Sequence, residues 1–155
     1  MDITNELWII LISASPFVEL RGAIPFGIAN GMGAAKVFFL AILGNTIPIV
    51  PLLVLLKWSV NKLEKMKGVG KILHWWFQKV EKRSKIVETY GFWGLVLFVA
   101  IPLPGSGVWS GSVAATLLEF KFARAFLAIF LGMLIAATLV TFASLGIIKL
   151  WFMFI

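Results

Sequence analysis

The chain contains no cysteine, one histidine (His74) and one aspartate (Asp2). Without cysteine there is no disulfide, thiolate nucleophile or cysteine-held metal. With a single histidine and a single aspartate, neither a His/Asp ligand set nor a hydrolytic triad can be assembled. Gly-x-Ser-x-Gly is absent. Gly105-Ser106-Gly107-Val108-Trp109-Ser110 lacks the third glycine of a dinucleotide loop and the strand before it. No enzymatic chemistry, metal or cofactor is therefore expected. Charge is scarce as well, at 14% of residues, against about 25% in ordinary soluble domains.

What fills the chain instead is apolar side chain, 61% of 155 residues. A soluble domain this small has no interior large enough for that excess, so the expected solvent is lipid. The chain reads as one membrane domain over 1–155, a multi-pass protein of the cell membrane. Met1-Asp2-Ile3-Thr4-Asn5-Glu6 carries no basic residue ahead of the first apolar stretch, so a cleaved signal is not expected.

Two stretches, Val37–Leu56 and Ala125–Ile148, are free of charge and meet the roughly 20 residues a span requires. Two others are interrupted. Leu7–Val18 ends at Glu19 and Arg21 after twelve residues, and a helix of that length reaches about halfway across the hydrocarbon. Thr89–Leu118 carries Pro102-Leu103-Pro104-Gly105-Ser106-Gly107 in its middle, which cannot continue a regular helix. Each interrupted stretch is expected to be a half-helix, a break and a second half-helix, as in a re-entrant hairpin.

Between the halves, Lys57–Glu88 holds nine basic and three acidic side chains. Val60, Leu63, Met66, Val69, Leu73, Trp76 and Val80 recur at helical spacing, which predicts an amphipathic surface helix, bent at Gly68 and Gly70, on the cytoplasmic side. Trp8, Trp58, Trp93 and Trp151 lie near segment ends, where an aromatic belt is expected. Trp109 falls next to the second break, as core packing or as the wall of a substrate path.

Pro16–Gly44 overlies Pro104–Gly132 without gaps at an offset of 88: Lys36 falls on Arg124, Phe38 on Phe126, Leu43 on Leu131. Each repeat is a hairpin followed by a span: 1–57, then a connector over 58–88, then 89–155. If the hairpins are re-entrant, each half crosses once and the repeats are inverted. That arrangement puts eleven bases on the cytoplasmic side. Four full spans would put ten there and both termini inside. The expected fold class is therefore all-α integral membrane, with two re-entrant helical hairpins each followed by a transmembrane helix.

Glu19 and Arg21 at membrane depth are the strongest functional candidates, because a charge there costs at least about 2.5–3.5 kcal/mol and needs a cavity or a partner. Residues two apart do not face each other on a helix, so a local pair requires an irregular backbone near Pro16, Gly22 and Pro25. Arg21 offers a planar fork for phosphate or carboxylate. Glu19 is placed to exchange a proton. A helix starting after Pro104 would offer the N–H groups of Ser106 and Gly107 to an anion. Gly105 and Gly107 would allow close approach, and Ser106 and Ser110 would add hydroxyls. Asn45 would hydrogen-bond to the hairpin or line the path.

Ser15-Pro-Phe-Val-Glu19-Leu-Arg21-Gly-Ala-Ile-Pro25-x-Gly27 and Pro102-Leu-Pro-Gly-Ser-Gly-Val-Trp-Ser-Gly111 resemble the small multi-drug export protein family over nearly the whole chain. That family looks like a compact relative of the DedA (VTT-domain) superfamily. The resemblance implies two re-entrant hairpins in an inverted repeat and a role in moving lipid headgroups or in proton-dependent drug tolerance. It also implies that Glu19 matches the acidic residue of the first hairpin. The arginines of the DedA pattern around the second break are absent here; Ile101 and Gly107 stand in that neighbourhood, leaving Arg21 or Arg124 as substitutes. The expected function is thus transport of an anionic lipid headgroup, such as polyprenyl-phosphate or a phospholipid, with proton coupling. The alternatives are proton-coupled export of small lipophilic cationic drugs and a non-transport membrane scaffold. Two spans make a thin wall, which predicts a homo-oligomer, most simply a dimer.

Overall fold

The computed structural model describes residues 3–63, 78, 80, 85–102 and 105–154, with the backbone alone for 3, 58–63 and 147–154. Most of the expected surface helix over Lys57–Glu88, including Gly68 and Gly70, lies outside the described residues, and so does Pro104. The described residues form seven helices and no strand: α1 (Ile3–Ala14), α2 (Glu19–Ala29), α3 (Ala34–Thr46), α4 (Ile49–Leu63), α5 (Lys85–Ala100), α6 (Val108–Leu117) and α7 (Phe122–Phe154). Two helical stretches, Ala34–Lys57 and Phe122–Gly146, are long and apolar enough to cross a membrane.

The breaks fall where the chain loses its hydrogen-bond ladder. α1 stops two residues before Pro16, and α5 two residues before Pro102. The first span is itself interrupted at Ile47-Pro48, between α3 and α4, because a proline nitrogen cannot donate to the preceding turn. α4 continues to Leu63, so no element boundary separates the span from residues 58–63. α5 is sharply kinked at Gly91 (φ 54°, ψ −123°), which folds residues 86 and 87 back against Gly94.

α1 runs beside the first half of the first span. Glu6 in its first turn pairs with Lys36, Ser13 donates to the Ala41 carbonyl at 2.6 Å, and the Ile10 backbone lies against Gly44. In the second half, Gly132 lies against the backbone of Val96 and the side chain of Val99 on α5. Gly44 and Gly132 are 88 residues apart, the offset of the sequence repeat.

The same offset governs the turns into the two spans. Met32 donates to Gly27 O and Gly31 to Ile28 O; Phe120 donates to Ala115 O and Glu119 to Thr116 O. Both are Schellman turns, whose extra residue sits in the left-handed region. Gly31 takes that place at φ 79° and Glu119 at φ 54°. A side chain there costs about 1–2 kcal/mol. Glu119 is exposed, so Glu119→Gly is expected to raise stability by about 1 kcal/mol, read from unfolding in mixed micelles; a loss would contradict the assignment of the turn.

The halves interlock. α2 packs against α7 of the second half, and α6 packs against α4 of the first. Ile9, Leu20, Ile24 and Val37 share one buried cluster with Leu95, Val99, Val113, Ile129 and Met133. Trp8 and Trp93 are exposed, on α1 and α5.

Candidate functional site

The tips of the two broken stretches meet. Glu19 opens α2 with a positive φ of 53°, and that irregular backbone turns its carboxylate toward Arg21, two residues on. The pair closes at 2.5 Å between Arg21 Nη1 and Glu19 Oε2. Glu19 is buried, with 5% of its surface exposed.

Each member of the pair also serves the other hairpin. The Glu19 carboxylate caps α6: the Trp109 N–H donates to Oε1 at 3.4 Å, and the Val108 N–H also donates to the carboxylate. Arg21 Nη2 donates to the carbonyls of Val99 (3.2 Å), Ile101 (3.3 Å) and Ser106 (3.1 Å). Val99 belongs to the last turn of α5, and Ile101 follows its end. A carboxylate therefore sits at a helix N-terminus and a guanidinium at a helix C-terminus, the favourable sense for both dipoles. The reciprocal link runs from Trp109 Nε1 to the Ala14 carbonyl at the end of α1, 3.3 Å. These bonds satisfy backbone groups that the breaks leave without helical partners.

The helix after the second break begins at Val108, not at Ser106. Of its first-turn amides, Glu19 takes those of Val108 and Trp109. Ser106 instead donates its hydroxyl to Ile101 O at 2.7 Å and offers its carbonyl to Arg21. Gly107, the N-cap of α6, has no room for a side chain: a Cβ there would overlap the Glu19 carboxylate.

A cleft of about 260 Å³ lies at this junction, lined by Pro16, Phe17, Val18, Glu19, Arg21, Pro102, Gly105, Gly107 and Ser110. Its floor is polar and its rim apolar. Phe17 is 96% exposed, and Val18, Ile101 and Pro102 are exposed beside it. Of the residues singled out from sequence, Glu19, Arg21, Gly105, Gly107 and Ser110 line the cleft. Ser106 and Trp109 bind its walls together.

Asn45 is elsewhere. It is buried in α3, and neither Nδ2 nor Oδ1 has a hydrogen-bond partner among the described residues. The neighbouring Thr46 hydroxyl reaches Met133 Sδ of α7 at 3.9 Å, which puts this stretch where the two spans cross.

Sequence reasoning missed the carbonyls of Val99 and Ile101 and the rim residues Phe17 and Val18. Backbone acceptors carry no sequence signal. Phe17 did carry one: a large apolar residue between a proline and a charge pair marks a tip.

Residues 19–139 match the model of a family that carries the provisional description small multi-drug export protein. No curated protein and no solved structure matches the chain. The matched region begins at Glu19 and includes both members of the ion pair, the second break and most of both spans.

Proposed function

We propose that the chain, which belongs to the small multi-drug export protein family, exports small lipophilic cations across the membrane through the cleft between its hairpin tips, coupled to protons at Glu19. The observation that carries this reading is the buried Glu19 carboxylate at the polar floor of a cleft with an apolar rim. Glu19 holds Arg21 and caps α6 at once, so protonating it weakens the contacts that join the two tips. A proton taken up on one side and released on the other would then open and close the junction, in the manner of one repeat rocking against the other.

Two observations support re-entrant hairpins in an inverted repeat. α1 runs beside only the first half of its span, and the turns into both spans repeat at one offset. On this reading, and with the DedA likeness of the two motifs, both tips would lie near the midplane. A homodimer would complete the wall around them. The anionic headgroup expected from the sequence is less well matched to the site. The amides of Val108 and Trp109 already receive the chain's own carboxylate, and Nη1 and Nη2 of Arg21 are engaged.

In proteoliposomes with an imposed pH gradient, the wild-type chain is expected to drive ethidium uptake against its concentration. Glu19→Gln is expected to reduce the gradient-dependent component to the rate of protein-free vesicles. Gradient-driven uptake that survives Glu19→Gln would remove Glu19 from the coupling.

A further inference from the structure

Three carbonyl oxygens and one carboxylate surround a single guanidinium at the bottom of the cleft. They belong to Val99, Ile101, Ser106 and Glu19. Without the Arg21 guanidinium, this set contains acceptors only. It lies at the C-terminal end of α5, where the helix dipole adds negative potential. A buried carboxylate with convergent carbonyls is a cation site, and Arg21 occupies it as a tethered cation.

The occupancy is imperfect. Arg21 Nε is buried without a hydrogen-bond partner, so the tether leaves that donor unmatched. A free planar cation can rotate to match the acceptors and suffers no such constraint. The rim supplies the other half of recognition. Phe17, Val18, Ile101 and Pro102 present apolar surface next to the acceptors, room for an apolar body whose head reaches inward.

We propose that this acceptor cluster binds an amphiphilic guanidinium or amidinium, a planar cation with several N–H donors and an apolar tail, in the place of the Arg21 side chain. Arg21 is then a built-in competitor, and substrate entry is an exchange of one cation for another. The exchange keeps Glu19 and the carbonyls supplied with a cation, so the acceptor set is not left uncompensated. A quaternary ammonium or phosphonium has no N–H and cannot replace the bonds that Arg21 gives the three carbonyls. The inference rests on the export reading for its place in a transport cycle, but the site itself is tested by binding alone.

The full chain in phosphatidylcholine nanodiscs is titrated with dodecylguanidinium, with empty discs as the partition control. Arg21→Gln is expected to bind at least about tenfold more tightly than wild type, because the competitor is gone. Adding Glu19→Gln is expected to return binding to the empty-disc level. Tetraphenylphosphonium is expected to bind all three chains equally. Should Arg21→Gln fail to fold, Arg21→Lys keeps the charge with fewer donors and is expected to bind between wild type and the empty site. Equal affinity in wild type and the Arg21 variants, or binding that survives Glu19→Gln, overturns the proposal. Ethidium export by wild type with no such affinity difference leaves the export reading standing and removes this one. Tight Glu19-dependent binding without any export does the reverse.

Discussion

Arg21→Ala is expected to destabilise the chain by about 3–5 kcal/mol, the cost of breaking a buried pair from one side. The loss has two parts. Glu19 keeps its charge and its burial but loses its counter-ion, and three carbonyls across the break each lose an N–H donor. Glu19 stays buried, with 5% of its surface exposed, so local solvation does little to relieve the penalty. Arg21→Ala should therefore be the most damaging single replacement at the junction. Removing the charge from both partners tests the origin of the effect. Glu19→Gln with Arg21→Gln is expected to recover a large part of the loss, since two neutral amides leave no unpaired charge. Unfolding in mixed micelles measures both variants. A double variant no more stable than Arg21→Ala would show that the loss comes from packing and not from charge.

The second large effect is expected at Gly107. Gly107→Ala should cost about 2–4 kcal/mol, combining overpacking with displacement of a capping carboxylate. The backbone is not the obstacle, because φ −96° and ψ −160° are open to any residue. The obstacle is space, since a Cβ at Gly107 would overlap the Glu19 carboxylate. Glu19 must then withdraw from the amides of Val108 and Trp109, and it has no second cap to move to. Glu19→Asp in the Gly107→Ala background shortens the side chain by one methylene and should recover part of the loss. A Gly107→Ala chain within about 0.5 kcal/mol of wild type would mean that the carboxylate does not approach α6 as described.

The sequence exposed the breaks because proline and glycine act locally. The ends of α1 and α5 follow from Pro16 and Pro102, and the irregular backbone at Glu19 follows from two charges too close in sequence to pair on a regular helix. The offset of 88 was also readable, and it reappears in the turn hydrogen bonds of Gly31 and Glu119. What stayed hidden was pairing across long separations. Trp109 N–H meets Glu19 over 90 residues, and Ser106 O meets Arg21 over 85. No local pattern reports that an anion expected at a helix N-terminus will be supplied by the chain itself. Asn45 shows the same limit: its residue type suggested a bond to the hairpin or a path lining, and it lies buried in α3 away from this cleft.

The interlocking of the halves also bears on how the protein is made. The face of α2 rests on α7, which begins at Phe122, more than 90 residues after α2 itself. At roughly 5–20 residues per second, the ribosome needs several seconds or more to supply that partner. During this interval Glu19 and Arg21 have neither α6 nor the end of α5 to bind, only each other. The pair that later joins the two broken stretches is thus first a net-neutral clamp within the tripeptide Glu19-Leu20-Arg21. Integration of the first half should accordingly depend on both residues before any of the second half exists.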